Sequence, residues 1–278
     1  MVAPRDGQFP AFQNPPVVEV AISVQFEELS ALRNVHLGLL WNRYRDQYPR
    51  TEEHPPLPDI FERFEPERRE VGITIETVDV PPVPRLWLLN PDSRRLIQVQ
   101  RSRFIHNWRG MEGPDPYPHY PNIRAQFVSA YEAFLAFLKD ESIGFPAINQ
   151  CEITYVNHIE AVGIHGHGDP GVVLTMFKLG FSDNFLSTPE DGAMALRFRM
   201  HDDDGNDCGR LHIQLQPAFT IAEKRPIFVL TLTARGKPKR DDFKAAMGFL
   251  DVGHEWIVRG FTSITTKEMH ERWERVYE

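Results

Sequence analysis

The sequence predicts an α+β protein in which one unit, made of a strand, a helix, three to four antiparallel strands and a second helix, occurs twice. Apolar residues alternate in many short segments, two long segments carry apolar residues at spacings of three and four, and both halves repeat the same order. Folds of the TATA-binding-protein-like type share this order. In this chain, an extra helix is predicted after the second unit, at the carboxyl end. A shared order of elements concerns shape and implies no activity.

The first half is predicted to span residues 17–148. Residues 17–26 alternate apolar and polar side chains, as in a half-buried strand, and Ser30 is a candidate N-cap for a helix that continues to about residue 46. The proline-rich stretch at 49–66 is predicted to be a loop with a short strand at 60–64. Further strands are predicted as follows: 71–78, 85–89, 94–100 and 103–108. Pro121 suits the first turn of a helix that continues to about residue 141.

The second half is predicted to span residues 149–278, after an extended leader at 1–16. The alternative is that the two halves form one continuous domain. The predicted strands of the second half are 150–159, 172–181, 193–201, 209–216 and 227–235. A long helix follows, and its apolar stripe consists of Phe243, Met247, Leu250, His254, Ile257 and Phe261. Thr265 and Glu268 have the spacing of a capping box, which predicts a last helix.

Composition narrows the classes of function. The net charge of −8 disfavours a nucleic-acid-binding protein, because such proteins neutralise phosphates with many Lys and Arg side chains. No apolar run reaches the roughly 18 residues of a membrane span, and the amino terminus lacks the apolar core of a secretory signal. The two cysteines provide no disulfide framework. We therefore expect a cytoplasmic protein without a membrane partner, and the sequence predicts no cofactor.

Several strings together resemble one family. They are 14–19 (Asn-Pro-Pro-Val-Val-Glu), 96–101 (Leu-Ile-Gln-Val-Gln-Arg), 107–109 (Asn-Trp-Arg), 155–159 (Tyr-Val-Asn-His-Ile), and His254 with the segment 261–273. The chain resembles the sporadically distributed bacterial proteins of about this length that are grouped as an uncharacterised family, and the resemblance spans nearly the whole chain. It implies a bacterial protein with an accessory role, such as phage defence, and it transfers no catalytic residue.

A polar hairpin is the first candidate recognition surface. Amide, guanidinium and indole groups follow one another there, and such groups can stack on a ring and bind a phosphate or a carboxylate. The predicted ligand-binding residues, which include three from the second half, are Gln98, Gln100, Arg101, Arg103, Asn107, Trp108, Arg109, Asn157, His158 and His254. The alternative is an ordinary solvated sheet face, with His254 as a core histidine.

The glycine-rich loop of the second half is the other candidate site. His165, His167 and Asp169 alternate, so that an extended loop would place imidazole and carboxylate groups on one side, as zinc or another transition metal requires. The alternative is a plain solvent-exposed loop.

These observations favour a non-enzymatic module that binds an unknown protein or small molecule. A metal-assisted hydrolase that uses His165, His167 and Asp169 is the first alternative. A nucleic-acid-binding protein that uses the hairpin at residues 98–109 is the second alternative, and the acidic net charge makes it the least favoured.

Overall fold

The structure, a computed structural model, describes residues 9–64, 83–110, 116–160, 170–177, 185, 191–202 and 204–277. Within these ranges the chain forms four α-helices and eleven β-strands. The helices are α1 (Asn34–Tyr44), α2 (His119–Asp140), α3 (Phe243–Ile264) and α4 (Lys267–Arg272). The strands are β1 (Pro10–Phe12), β2 (Val17–Phe26), β3 (Arg50–His54), β4 (Arg85–Leu89), β5 (Arg95–Gln100), β6 (Arg103–Arg109), β7 (Ile148–Glu160), β8 (Met194–His201), β9 (Asp207–Phe219), β10 (Pro226–Gly236) and β11 (Arg275–Tyr277). The predicted α+β class is confirmed.

The described strands form one large sheet and one small one. Nine strands pair in the order β3-β4-β5-β6-β2-β7-β10-β9-β8, and every pair is antiparallel. The strands of the two halves meet at the β2–β7 pair, where Ile22 lies opposite Ile153. Strand β1 pairs with β11, so that the described beginning and end of the chain lie side by side.

The two faces of the large sheet differ in chemistry. Directly opposed residues of antiparallel strands share a face, and neighbouring residues along a strand alternate between faces. On β6, Phe104 packs against aromatic rings of α2, whereas Arg103 and Asn107 lie on the opposite side. We call the first side the helix face and the second the polar face.

The helices pack on the helix face as their sequence stripes predict. Phe127 and Phe134 of α2 are fully buried, and so is Leu250 of α3. A Cβ added to Gly253 would lie 2.9 Å from Cγ2 of Ile153, so the small residue lets α3 approach β7 closely. Within the described ranges, no helix is long and apolar enough to cross a membrane.

Several predicted boundaries are wrong. The first helix begins at Asn34, not at Ser30, because a turn closed by the Leu32 N–H to Leu29 carbonyl hydrogen bond precedes it. The last helix is capped by Thr266 rather than Thr265, since the Thr265 hydroxyl donates to the carbonyl of Phe261 and is engaged in closing α3.

Two predicted strands have another structure. Residues 60–64 pair with no strand in the described part of the chain, and the strand of this region is β3 instead. Of the strand predicted at 172–181, the described part forms two short 3-10 helices, Pro170–Val172 and Thr175–Phe177. The Val173 N–H donates to the Pro170 carbonyl, which closes the first of them. The strand predicted at 71–78 lies outside the described residues.

Candidate functional site

An aromatic pocket on the helix face is the candidate functional site. It has a volume of about 160 Å³ and lies between β7, β10, the amino-terminal turn of α2, the middle of α3 and the segment around β1. The wall is almost entirely apolar or aromatic. The lining residues are Phe9, Pro10, Ala11, Phe12, Pro15, Val17, Tyr117, His119, Tyr120, Pro121, Tyr155, Asn157, Leu232, His254, Ile257, Val258 and Phe261.

His254 is held in this wall by rings on two sides. The ring of Tyr120 stacks on it with centroids 3.9 Å apart and an interplanar angle of 12°. The ring centroid of Phe9 lies 5.5 Å from the ring centroid of His254. The Tyr120 hydroxyl donates to Asp251 over 2.8 Å, and Arg124 binds the same carboxylate with two hydrogen bonds. Because Asp251 belongs to α3 and the other two residues to α2, these bonds fix the stack between the helices.

A chain of hydrogen bonds connects Tyr117 and Tyr155 to the ring of His254. The Tyr117 hydroxyl donates to the Tyr155 hydroxyl over 3.2 Å, and the Tyr155 oxygen lies 2.9 Å from Nδ1 of His254. When Tyr155 donates its single proton to Nδ1, a neutral imidazole carries its own proton on Nε2. Nε2 has no hydrogen-bond partner among the described residues.

The ionisation of the pocket follows from its burial. Burial lowers the pKa of His254 to about 4, although the Asp251 carboxylate acts in the opposite direction. Burial also raises the pKa of Tyr117 to about 12 and that of Tyr155 well above its ordinary value. At neutral pH the side chains of His254, Tyr117 and Tyr155 are therefore uncharged.

The predicted ligand-binding residues do not converge on one site. Gln98, Gln100, Arg103, Asn107, Arg109 and His158 lie on the polar face, whereas Trp108, Asn157 and His254 lie on the helix face. Arg101 lies in the β5–β6 turn, where its guanidinium donates to the Leu32 carbonyl and to Glu28. Neighbouring strand residues point to opposite faces, which divides these residues between the two faces, and their role in ligand binding stays a prediction.

On the polar face, the predicted residues form a ladder of hydrogen bonds. Arg85 donates to Gln98 over 2.8 Å, Gln98 donates to Asn107 over 2.8 Å, and Asn107 donates to Glu19 over 2.6 Å. The guanidinium groups of Arg85 and Arg109 lie within 5.5 Å and 5.1 Å of the Trp87 ring centroid. Gln98 and Asn107 are thus buried and hydrogen-bonded within the protein, whereas Nε of Arg85 has no hydrogen-bond partner among the described residues.

On the helix face, Trp108 and Asn157 support the pocket from the sheet. Trp108 contacts Tyr117 edge to face, with centroids 5.3 Å apart. The side-chain amide of Asn157 donates to the Leu230 carbonyl over 3.0 Å.

The candidate metal loop lies outside the described residues, so its hypothesis stays a prediction. Among the described side chains, no group of three or more His, Cys, Asp or Glu residues is arranged to hold a metal ion.

Sequence reasoning singled out His254 but missed its partners Tyr117, Tyr120 and Tyr155. The available signals were weak. Tyr155 alternates with Asn157 on one strand face, and Tyr120 directly precedes the proline that marks the start of α2. Which rings meet His254 depends on packing between distant segments.

Comparison with known proteins gives no match: no family model, no curated protein and no solved structure is significantly similar to this chain. The resemblance to a bacterial family therefore stays a prediction.

Proposed function

We propose that this protein is a non-enzymatic binding module whose ligand is a small, largely apolar molecule with a planar ring and one hydrogen-bond acceptor. The aromatic pocket carries this proposal. Its volume of about 160 Å³ is close to that of apolar cavities of about 150 Å³, which accept a benzene-sized guest. The acceptor of the ligand would bind the Nε2–H of His254, a donor without another partner among the described residues.

The ionisation of His254 supports binding rather than catalysis. A general base works best when its pKa lies near the working pH, whereas burial lowers the pKa of His254 to about 4. Its Nδ1 contacts the phenol of Tyr155 and not a carboxylate, which would make the ring a stronger base.

Titration with acetophenone, followed by ligand-observed NMR, tests this proposal. Acetophenone has a ring of the right size and a carbonyl acceptor, and ethylbenzene has a similar shape without an acceptor. We expect acetophenone to bind roughly 3- to 10-fold more tightly, which corresponds to one hydrogen bond of about 1 kcal/mol. His254→Phe preserves the stack on Tyr120 and should abolish this preference.

A matched pair of variants locates the binding. Val258→Phe adds a ring to the pocket wall and should abolish binding of both probes, whereas Val252→Phe, on the same helix outside the pocket, should leave it unchanged. Failure of both probes to bind the wild type, or equal binding to both variants, would contradict the proposal.

The chain order of the sheet supports a further proposal, that the fold arose from a duplicated unit of the TATA-binding-protein-like order. Outward from the β2–β7 pair, one side runs β2, β6, β5, β4 and β3, and the other runs β7, β10, β9 and β8. In each half a long helix directly follows the strand that pairs with the first strand of that half: α2 follows β6, and α3 follows β10. Helix α1 of the first half corresponds to 3-10 turns in the second. An experimental structure in which the halves do not superpose in this order would contradict the proposal.

The bacterial origin and the accessory role implied by the family resemblance, and the cytoplasmic location expected from composition, also remain proposals. The low pKa of His254, which leaves this ring neutral at neutral pH, supports a role in sensing or carrying a neutral metabolite.

A further inference from the structure

Residues 55–64, which we call the strap, cross the polar face of the sheet. The strap follows β3, and its contacts extend from Gln100 on β5 to Arg210 on β9. Among its apolar side chains, Ile60 and Phe61 remain 36% and 46% exposed, whereas the ring of Phe64 packs on the guanidinium groups of Arg199 and Arg210. The strap is therefore attached mainly by polar and charged contacts with the sheet.

Side-chain amides of the sheet bind the backbone of the strap. Gln100 accepts from the Leu57 N–H and donates to the Leu57 carbonyl, both over 2.9 Å, as a neighbouring strand would. Oε1 of Gln25 accepts from the Ile60 N–H over 3.0 Å, and Arg103 donates to the Pro58 carbonyl over 3.0 Å. These contacts recognise an extended peptide backbone and depend little on its side chains.

Two acidic side chains of the strap provide the selective contacts. The Ser102 hydroxyl donates to Asp59 over 2.8 Å. The Glu62 carboxylate binds Arg210 over 2.6 Å and also binds His212, with Arg235 at 3.6 Å. Burial raises the pKa of Glu62, but the hydrogen bonds from His212 and Arg210 outweigh this, so the pKa lies below its ordinary value.

We propose that the polar face is a peptide-binding groove that the strap occupies in cis, and that its ligand in trans is an extended, proline-containing peptide with two acidic residues three positions apart. This proposal is independent of the aromatic pocket, which lies on the other face. The oxygens of Gln100 and Gln25 accept hydrogen bonds from N–H groups, and a phosphodiester backbone has none, so a peptide fits the groove better than a nucleic acid.

The covalent strap competes with any free peptide. A tethered segment has an effective local concentration on the order of millimolar, so the wild type should bind a free peptide weakly. Loosening the strap while keeping the groove intact should increase the affinity.

Fluorescence anisotropy with a labelled peptide of the sequence of residues 55–64 tests this inference. The full-length Asp59→Asn/Glu62→Gln variant removes both acidic charges of the strap and changes no groove residue. It should bind the peptide at least about tenfold more tightly than the wild type, since charge-assisted hydrogen bonds are roughly twice as strong as neutral ones. Glu53→Gln, at an exposed glutamate of β3, is the matched control and should behave as the wild type. A peptide with Asn and Gln at its two acidic positions should bind the loosened variant about tenfold more weakly.

A folded double variant that does not bind the peptide, or that binds both peptides equally, would overturn the proposal. Tighter binding of a single-stranded oligothymidylate than of the peptide would also overturn it. Should the double variant not fold, hydrogen exchange on the wild type decides. Excess unlabelled peptide at about 5 mM, above the local concentration of the strap, should accelerate exchange at the Leu57 and Ile60 amides, and unchanged exchange contradicts the groove.

Discussion

The two faces of the sheet are built from alternate residues of the same strands, yet different forces stabilise them. On the helix face, Phe104 is fully buried against three aromatic rings of α2. On the polar face, the adjacent Arg103 binds Gln25 and the backbone of the strap. Burial of an apolar side chain contributes more to the free energy of unfolding than a hydrogen bond does. A hydrogen bond within the folded protein largely replaces one that the unfolded chain makes to water. The helix face therefore supports the fold, while the polar face provides contacts that another peptide can replace.

The largest expected effect is on the helix face. Phe104→Ala should lower the free energy of unfolding by about 3–5 kcal/mol, since a fully buried ring is replaced by a cavity. Thr154→Ala, which removes the hydrogen bond to Thr233 on the polar face, should cost about 1 kcal/mol. Urea unfolding at neutral pH measures both values, and equal losses would contradict the contrast between the faces.

The next effect concerns pH and the buried histidine of the helix face. His106 is fully buried, and neither ring nitrogen has a hydrogen-bond partner among the described residues. Burial, and secondarily the charge of Arg95, lowers the pKa of His106 to about 4. The unfolded chain takes up this proton first as the pH falls. The contribution of His106 to the free energy of unfolding is therefore fully present above pH ~6.5. It decreases by about 3 kcal/mol as the pH falls to ~4.

The variant His106→Leu isolates that contribution from the titration of other groups. The difference in unfolding free energy between wild type and variant should grow from pH 7 to pH 4. At neutral pH the variant should itself be more stable by about 1 kcal/mol, because an unsatisfied polar ring is replaced by an apolar side chain. A difference that does not change with pH would contradict the assignment.

The smallest effect concerns the pocket. Tyr155→Phe removes the hydroxyl that contacts Nδ1 of His254 and should cost about 1 kcal/mol in unfolding free energy. Because burial is the main cause, the pKa of His254 should remain low. Nitrogen-15 NMR of the histidine rings would show instead a change in the distribution of the proton between Nδ1 and Nε2. An unchanged spectrum would contradict the hydrogen-bond chain.

The sequence predicts the parts of the fold that depend on local periodicity. The stripes of α2 and α3 and the strands of residues 85–109 follow from spacing alone. The pocket does not, since Tyr155 and His254 are 99 positions apart and meet only through packing of α3 on the sheet. The strand predicted at 60–64 is wrong for a related reason: the hydrogen bonds of this segment go to side chains of the sheet and not to another strand.

The most direct test of separate roles for the two faces is a nitrogen-15 NMR titration of the wild type with acetophenone. We expect the resonances of the ring nitrogens of His254 to shift, while the side-chain amides of Gln25 and Gln100 keep their resonances. Shifts at Gln25 and Gln100 with no change at His254 would contradict it.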